Sequence, residues 1–371
     1  MRVAIDARAA DRRPSGVGIY TRTLISSLAA HDGDNSYLLV SNRPVFLSNA
    51  LPSNMQVIEE AHSVGNLWLQ IQCPRLLRRL GADIFHGPNF LAPLFAPCPT
   101  VLTIHDLSSF LFPKLHTVRN NLVQRLLPAA IRRAARVVAI SENTKRDLIQ
   151  HLHVPEEKIR VAPNALPPGV SRVEDKRVLD DTRRRYELPD RFFLFVGTLE
   201  PRKNIPRLLD AFALFARRDE GQTHLVLVGE HGWGAQEVLA HHRRLQLGDR
   251  VRFLGYVDHG ELPSLYSLAR ALIMPSVYEG FGLPVLEAMA CGAPVLAAEN
   301  SGLAETAGDA ALTCHHDDVE RMAELMSVLD RDEELRARLA EKGRERAKQF
   351  APRTFVEAMQ QVYRETLESR S

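Results

Sequence analysis

Ala271-Leu272-Ile273-Met274-Pro275-Ser276-Val277-Tyr278-Glu279-Gly280-Phe281-Gly282-Leu283-Pro284-Val285-Leu286-Glu287 reads as a strand, a glycine-flanked turn and the opening of a helix. The apolar run Ala271–Met274 suits a buried strand. Pro284 suits the first helical position, where it has no N–H to lose and its φ is preset. Gly292 is placed to close the helix at C′. Glu279 then sits in the loop, and Glu287, eight residues on, about a turn into the helix. Between them the Gly-Phe-Gly backbone offers N–H groups at a helix N-terminus, which is an anion site. Two carboxylate acceptors around an anion cradle suit a ligand that carries both hydroxyls and phosphate.

The same strand–loop–helix rhythm runs outward in both directions and predicts parallel sheets with covering helices. Before the quoted stretch it gives strands near Phe192–Val196, His224–Val228 and Val251–Leu254, and a helix near Ile205–Ala216. After it come a strand near Val295–Ala298 and two or three helices from about Asp317. The first half gives strands near Val3–Asp6, Tyr37–Val40, Gln56–Glu59, Asp83–His86, Val101–His105 and Val137–Ile140. Its helices fall near Val17–Ala30, Leu67–Leu80, Arg119–Ala134 and Glu142–His151, with Ser141 as N-cap. The proline- and charge-rich stretch Ala162–Arg191 reads as the connection between two domains.

With 371 residues, room exists for two or three domains. A formal net charge of +2 gives no global field toward nucleic acid. Cys73, Cys98, Cys291 and Cys314 have no metal or redox spacing, which fits a reducing compartment. No apolar stretch reaches the roughly 18 residues of a membrane span. With the strand-like Arg2–Asp6 at the start, no secretory leader is expected. The expectation is a cytoplasmic enzyme.

A second constellation follows the strand Phe192–Val196: Gly197-Thr198-Leu199-Glu200-Pro201-Arg202-Lys203-Asn204. Adjacent Arg202 and Lys203 at such a turn can grip a diphosphate. Charge-assisted hydrogen bonds contribute about 1.5–3 kcal/mol, more than the roughly 0.3–1 kcal/mol of a helix terminus, so the cations should dominate and the amides set geometry. The same charges can stabilise a departing nucleoside diphosphate.

These two stretches resemble the double-glutamate and Arg/Lys motifs of the retaining, nucleotide-sugar-dependent glycosyltransferases of family 4. The resemblance covers nearly the whole chain and is strongest at 195–215 and 275–294. It implies the GT-B architecture: two Rossmann-like domains, 1–168 and 169–350, with parallel sheets facing across an interdomain cleft, and a last helix, about 351–371, packing back on the first domain. It makes Glu279 the donor-sugar contact and Glu287 the ribose contact, with the amides of Gly280, Phe281, Gly282 and Leu283 on sugar and diphosphate. Arg202 and Lys203 hold the diphosphate. Many relatives carry arginine where this chain has Thr198, so a hydroxyl replaces a charge there. Pro14-Ser15-Gly16-Val17-Gly18 resembles a glycine loop in which Gly16 and Gly18 face diphosphate and acceptor. His105, at the end of a strand, matches a histidine near the donor sugar, and Asp106 beside it reads as a cap or turn residue. His86-Gly87-Pro88-Asn89-Phe90 ends another strand and is placed to shape the acceptor side. Ile5-Asp6-Ala7-Arg8, Ser15-Gly16-Val17-Gly18 and Gly197–Asn204 in combination look most like mannosyltransferases of bacterial surface polysaccharides. That points to GDP-mannose as donor and a saccharide or lipid-linked saccharide as acceptor. Alternatives are a UDP-sugar enzyme, an epimerase of the same architecture, or a non-catalytic nucleotide-sugar binding protein.

Asp32-Gly33-Asp34 and Asp330-Arg331-Asp332 match a metal-binding Asp-x-Asp spacing but fall where solvated turns are expected. The expectation is no catalytic metal, and no cofactor beyond the nucleoside-diphosphate sugar. Arg75, Arg78, Arg79, Arg119, Arg125, Arg132, Arg133 and Arg136, interleaved with Leu76, Leu77, Leu122, Leu126 and Leu127, form basic amphipathic helices that can attract anionic lipid. A peripheral membrane contact is the matching partner expectation.

Overall fold

The structure, a computed structural model, describes residues 1–47, 50–60, 67–117, 126–217 and 223–368. Arg119, Leu122 and Arg125 lie outside them. The chain divides into two compact units. The first comprises Met1–Leu111, Val118–Pro168 and Phe350–Ser371, and the second Phe112–Thr117 and Gly169–Gln349.

The first unit holds β1 (Arg2–Asp6), β2 (Ser36–Ser41), β3 (Met55–Glu59), β4 (Ile84–Gly87), β5 (Thr100–Ile104), β6 (Arg136–Ala139) and β7 (Ile159–Val161). They form one parallel sheet in the order β3-β2-β1-β4-β5-β6-β7. The second unit holds β8 (Arg191–Val196), β9 (Thr223–Val228), β10 (Val251–Gly255), β11 (Ala271–Met274), β12 (Val295–Ala298) and β13 (Leu312–Cys314). These are again all parallel, in the order β10-β9-β8-β11-β12-β13. Inner strands such as β4, β5, β11 and β12 are buried at every residue. That is why they read as unbroken runs rather than alternations. The α/β expectation of two parallel sheets holds. Strand order reverses between β1 and β4 in one sheet and between β8 and β11 in the other. Such a switch point leaves a crevice at the strands' carboxyl ends.

Several expectations are corrected. β7 and β13, three residues each, are too short to show a period. The supposed connection contains the helix Lys176–Arg185, capped by Asp175. None of its residues is buried, so it has no apolar stripe to read. The Asp-x-Asp turns are not simply solvated. Asp32 is buried and accepts from Asn35 and the Tyr37 hydroxyl, which hold it at about 2 although burial alone would raise it. Asp330 is buried between Arg191 at 2.6 Å, Arg270 at 2.8 Å and the Thr223 hydroxyl at 2.8 Å, and Asp332 caps the next helix. Both first aspartates are structural anchors.

His86 is fully buried, with Nδ1 2.8 Å from the Tyr363 hydroxyl and Nε2 2.8 Å from Thr103 Oγ1. The Thr103 hydroxyl also meets Tyr20 at 3.1 Å. His86 itself thus belongs to a buried chain that ties the final helix, Pro352–Glu368, to β4, β5 and the first helix, Gly16–His31.

Candidate active site

The site of the second unit is built at its switch point. β8 and β11 run side by side, Ala271 beside Phe193 and Leu272 beside Leu194, so the loops that follow them emerge together. Backbone stitches fix these loops. Val277 N–H donates to Arg202 O at 2.9 Å. The Asn204 side-chain amide donates to Pro275 O at 3.0 Å and to His316 O at 2.7 Å.

This clamp brings Arg202, Lys203 and Glu279 into one ionic triad. Lys203 Nζ lies 2.6 Å from Glu279 Oε1, and Arg202 Nη1 lies 2.6 Å from Glu279 Oε2. Arg202 also donates to Tyr278 O at 2.8 Å and to Glu200 at 3.0 Å. Glu279 and Lys203 are 8% and 9% exposed, so little water screens the triad. Burial alone would push the Glu279 carboxyl upward, but the two cations outweigh it and hold it at about 2. The two cations therefore favour the ionised carboxylate.

The glycine turn follows directly. Glu279 N–H donates to Ser301 Oγ at 3.0 Å, Glu279 O accepts from Gly302 N–H at 2.8 Å, and Phe281 O accepts from Thr306 Oγ1 at 2.6 Å. The carbonyl side of the loop is thus pinned to the helix Ser301–Ala307. Among the described residues, the amides of Gly280, Gly282 and Leu283 find no acceptor. They precede or open the helix Leu283–Ala290, as an anion cradle requires. Gly282 sits at φ 102°, and a Cβ there would lie 2.6 Å from Leu303 Cδ2. Gly292, at φ 74°, follows the helix as read from the sequence.

Glu287 is 3% exposed and lies inside this helix. Its Oε1 is 2.8 Å from His259 Nε2, and its Oε2 accepts from the Tyr266 hydroxyl at 2.9 Å. Each oxygen keeps a second lone pair, so Glu287 can still accept from a ligand hydroxyl. Sequence spacing carries no signal for His259 or Tyr266. Their approach comes from β10 and its following helix, Leu262–Leu268, returning beside the glutamate. Ser301 and Gly302 were equally silent. Glu200 lay in view within the Arg202 loop.

The remaining candidates, Thr198 excepted, belong to the first unit. His105 follows β5, and its Nε2 lies 2.7 Å from Pro88 O. A carbonyl only accepts, so Nε2 carries the proton. Burial lowers the pKa of the ring, which leaves Nδ1 as an acceptor. Asp106 accepts from the Ser108 amide at 2.8 Å and hydroxyl at 2.6 Å, the turn role expected of it. Gly16 opens the first helix with nothing near its missing Cβ. Gly18 is already helical, and a Cβ there would meet Ala9 O and Pro14 at 2.6 Å, so packing accounts for its glycine. Thr198, in the second unit, is exposed.

Comparison with known proteins bears on the family of the chain. Residues 180–346 match the family described as glycosyl transferases group 1, and residues 14–169 match glycosyltransferase family 4. O-antigen chain mannosyltransferase B of Escherichia coli is 34% identical over 276 residues, covering 72% of this chain and 70% of that protein. Sucrose-phosphate synthase from Thermosynechococcus elongatus has a TM-score of 0.78 at 23% identity, covering 100% of both chains. Anabaena HepE, crystallised with UDP-glucose, has a TM-score of 0.75 at 22% identity, again covering 100% of both. At such identities the structural likeness bears on the fold alone, which is that of GT-B glycosyltransferases. With the family matches and the mannosyltransferase relative together, this chain belongs to the family 4, group 1 glycosyltransferases.

Proposed function

We propose that this glycosyltransferase moves mannose from GDP-mannose onto a saccharide or lipid-linked saccharide, with retention of the donor's anomeric configuration. The observation that carries the reading is the buried Glu279 carboxylate held between Arg202 and Lys203 beside free loop amides. In this reading Arg202, Lys203 and the Gly280–Leu283 amides bind the diphosphate, Glu287 takes the ribose, and Glu279 orients the sugar. The first unit binds the acceptor, with His105 Nδ1 available there as an acceptor for a hydroxyl.

Transfer breaks the bond between the anomeric carbon and the diphosphate oxygen. The acceptor hydroxyl oxygen bonds to that carbon on the same face, and its proton passes to the departing diphosphate. The two cations stabilise the charge that develops there. No covalent nucleophile is required.

Mannose is supported by the name of the 34% identical relative and by the Ile5–Arg8 and Gly16–Gly18 motifs. A UDP-sugar donor is the second reading, favoured by the HepE complex with UDP-glucose. A thermal-shift panel of GDP, UDP, ADP and TDP, free and as their common sugars, separates the two. A ligand at about 100 times its Kd adds about 2.7 kcal/mol to the folded state. Stabilisation by GDP and GDP-mannose alone supports mannose, a shift with UDP replaces it, and no shift with any nucleotide rejects the donor site.

The first unit also supports peripheral membrane contact, which would bring the enzyme to a lipid-linked acceptor. Leu67, Ile71 and Phe95 are 66%, 51% and 71% exposed. Arg133 lies over the Phe95 ring at 4.5 Å, and Arg75, Arg78 and Arg132 are exposed. Among the described residues no helix is long and apolar enough to cross a membrane. Failure to float with anionic vesicles would remove this contact.

A further inference from the structure

The chain has two tryptophans, and they stand in opposite surroundings. Trp68 is fully buried, whereas Trp233 is 40% exposed. An indole left half in water is unusual, because burying one removes a large apolar area from solvent. Trp233 sits in the turn between β9 and the helix Ala235–Arg244.

That turn is packed along the loop that carries Arg202. Leu199 N–H donates to Glu230 O at 2.9 Å, and Leu199 bridges to His231. A Cβ on Gly232 would fall 2.7 Å from Thr198 Cγ2 and 3.0 Å from Leu199 O. One on Gly234 would fall 3.0 Å from Pro201 Cγ. Glycine on either side of Trp233 therefore lets its turn lie directly against Thr198–Pro201. The indole is carried on a fixed platform beside the diphosphate-binding loop.

Strand order supplies a direction. Across the sheet run β11, β8, β9 and β10. Glu279 follows β11, Arg202 and Lys203 follow β8, Trp233 follows β9, and His259, which holds Glu287, follows β10. In the donor reading above, on which this inference rests, the sugar lies at Glu279 and the diphosphate at Arg202 and Lys203. The nucleoside then continues over β9 and β10. There the ligand has only one flat π face to offer, its base.

We propose that Trp233 is the nucleobase platform of this enzyme, stacking on the base of the donor nucleotide. Stacking tolerates any base, so the indole contributes affinity, while selection between bases falls to other groups.

The test uses the whole protein with GDP and, separately, inorganic pyrophosphate, which offers the charges without a base. Binding is measured by calorimetry, and tryptophan emission is excited at a wavelength that GDP does not absorb. GDP should change the emission and shield it from acrylamide, and Trp233→Phe should abolish most of that signal, because Trp68 is buried. Trp233→Ala should weaken GDP about tenfold and leave pyrophosphate unchanged. Both variants alter an exposed turn residue, and circular dichroism checks their folding. GDP binding to the wild type with no emission change, and with equal affinity in Trp233→Ala, would overturn the platform while leaving the donor site standing. Absence of calorimetric binding of any nucleoside diphosphate to the wild type would overturn the donor reading and the platform with it.

Discussion

His86 Nδ1 lies 2.8 Å from the hydroxyl of Tyr363, 277 residues further along the chain. Both side chains are fully buried. Replacing Tyr363 with Phe removes one partner and leaves the imidazole nitrogen unsatisfied. A loss of about 1–3 kcal/mol is expected in denaturant unfolding. Nucleotide binding, proposed for the second unit, should not change. A fully stable Tyr363→Phe variant would show that the bond does not hold the final helix.

The same histidine makes stability depend on pH. Burial lowers the pKa of His86 to about 3, below the roughly 6.5 of an unfolded histidine. Between those values the unfolded chain binds the extra proton, so stability falls as pH falls. The contribution is about 1.4 kcal/mol per pH unit. His105, also lowered, acts in the same direction. Unfolding free energy measured from pH 7 to 5 should therefore decline before the carboxylates titrate. His86→Gln should flatten the slope, and an unchanged slope would refute the assignment.

Glu279 is the third partner of a buried ionic triad, and removing its charge takes from Lys203 the carboxylate it pairs with and leaves Arg202 with Glu200 and Tyr278 O. Glu279→Gln should cost about 3–5 kcal/mol of stability. It should cut transfer by roughly 100-fold or more. Diphosphate binding should be held or tightened, because Arg202 and Lys203 lose the anion they now share. Bound GDP should restore part of the lost stability. Calorimetry and turnover on the same preparation decide the point. Nucleotide affinity falling in step with turnover would contradict the role given to Glu279.

Gly302 tests the loop beside it. A Cβ there would fall 2.2 Å from Gly280 O and 2.7 Å from Phe281 N, both backbone atoms. Gly302→Ala must move the Gly280–Phe281 turn. The expected result is a higher KM for the donor with the fold retained. An unchanged KM would mean that the turn does not touch the donor.

Much of the second unit was legible. The helix Ile205–Ala216 and the strands β11 and β12 begin and end where the apolar pattern places them. Arg202, Lys203 and Glu279 stand in motifs whose glycines and prolines announce a turn. What spacing could not give is the pairing itself: that Lys203 and Arg202 each meet a different oxygen of Glu279, 76 and 77 residues away. Such contacts follow from strand order, and sequence periodicity is silent about order. Glu287 was visible, whereas Tyr266 and His259, 21 and 28 residues before it, were not. Periodicity showed the last helix as a helix but not its partner, which only the family resemblance placed in the first domain. That partner is fixed by a histidine at the end of β4, whose burial nothing local requires.

The division of the chain has a consequence for its making. The second unit lies within one nearly continuous stretch, ending at Gln349, whereas the first needs the segment that begins at Phe350. A ribosome therefore delivers all of the later-numbered unit before the earlier one has its closing helix. Until then the pocket awaiting Tyr363 exposes His86 and the apolar surface around it. The half begun first is the half finished last.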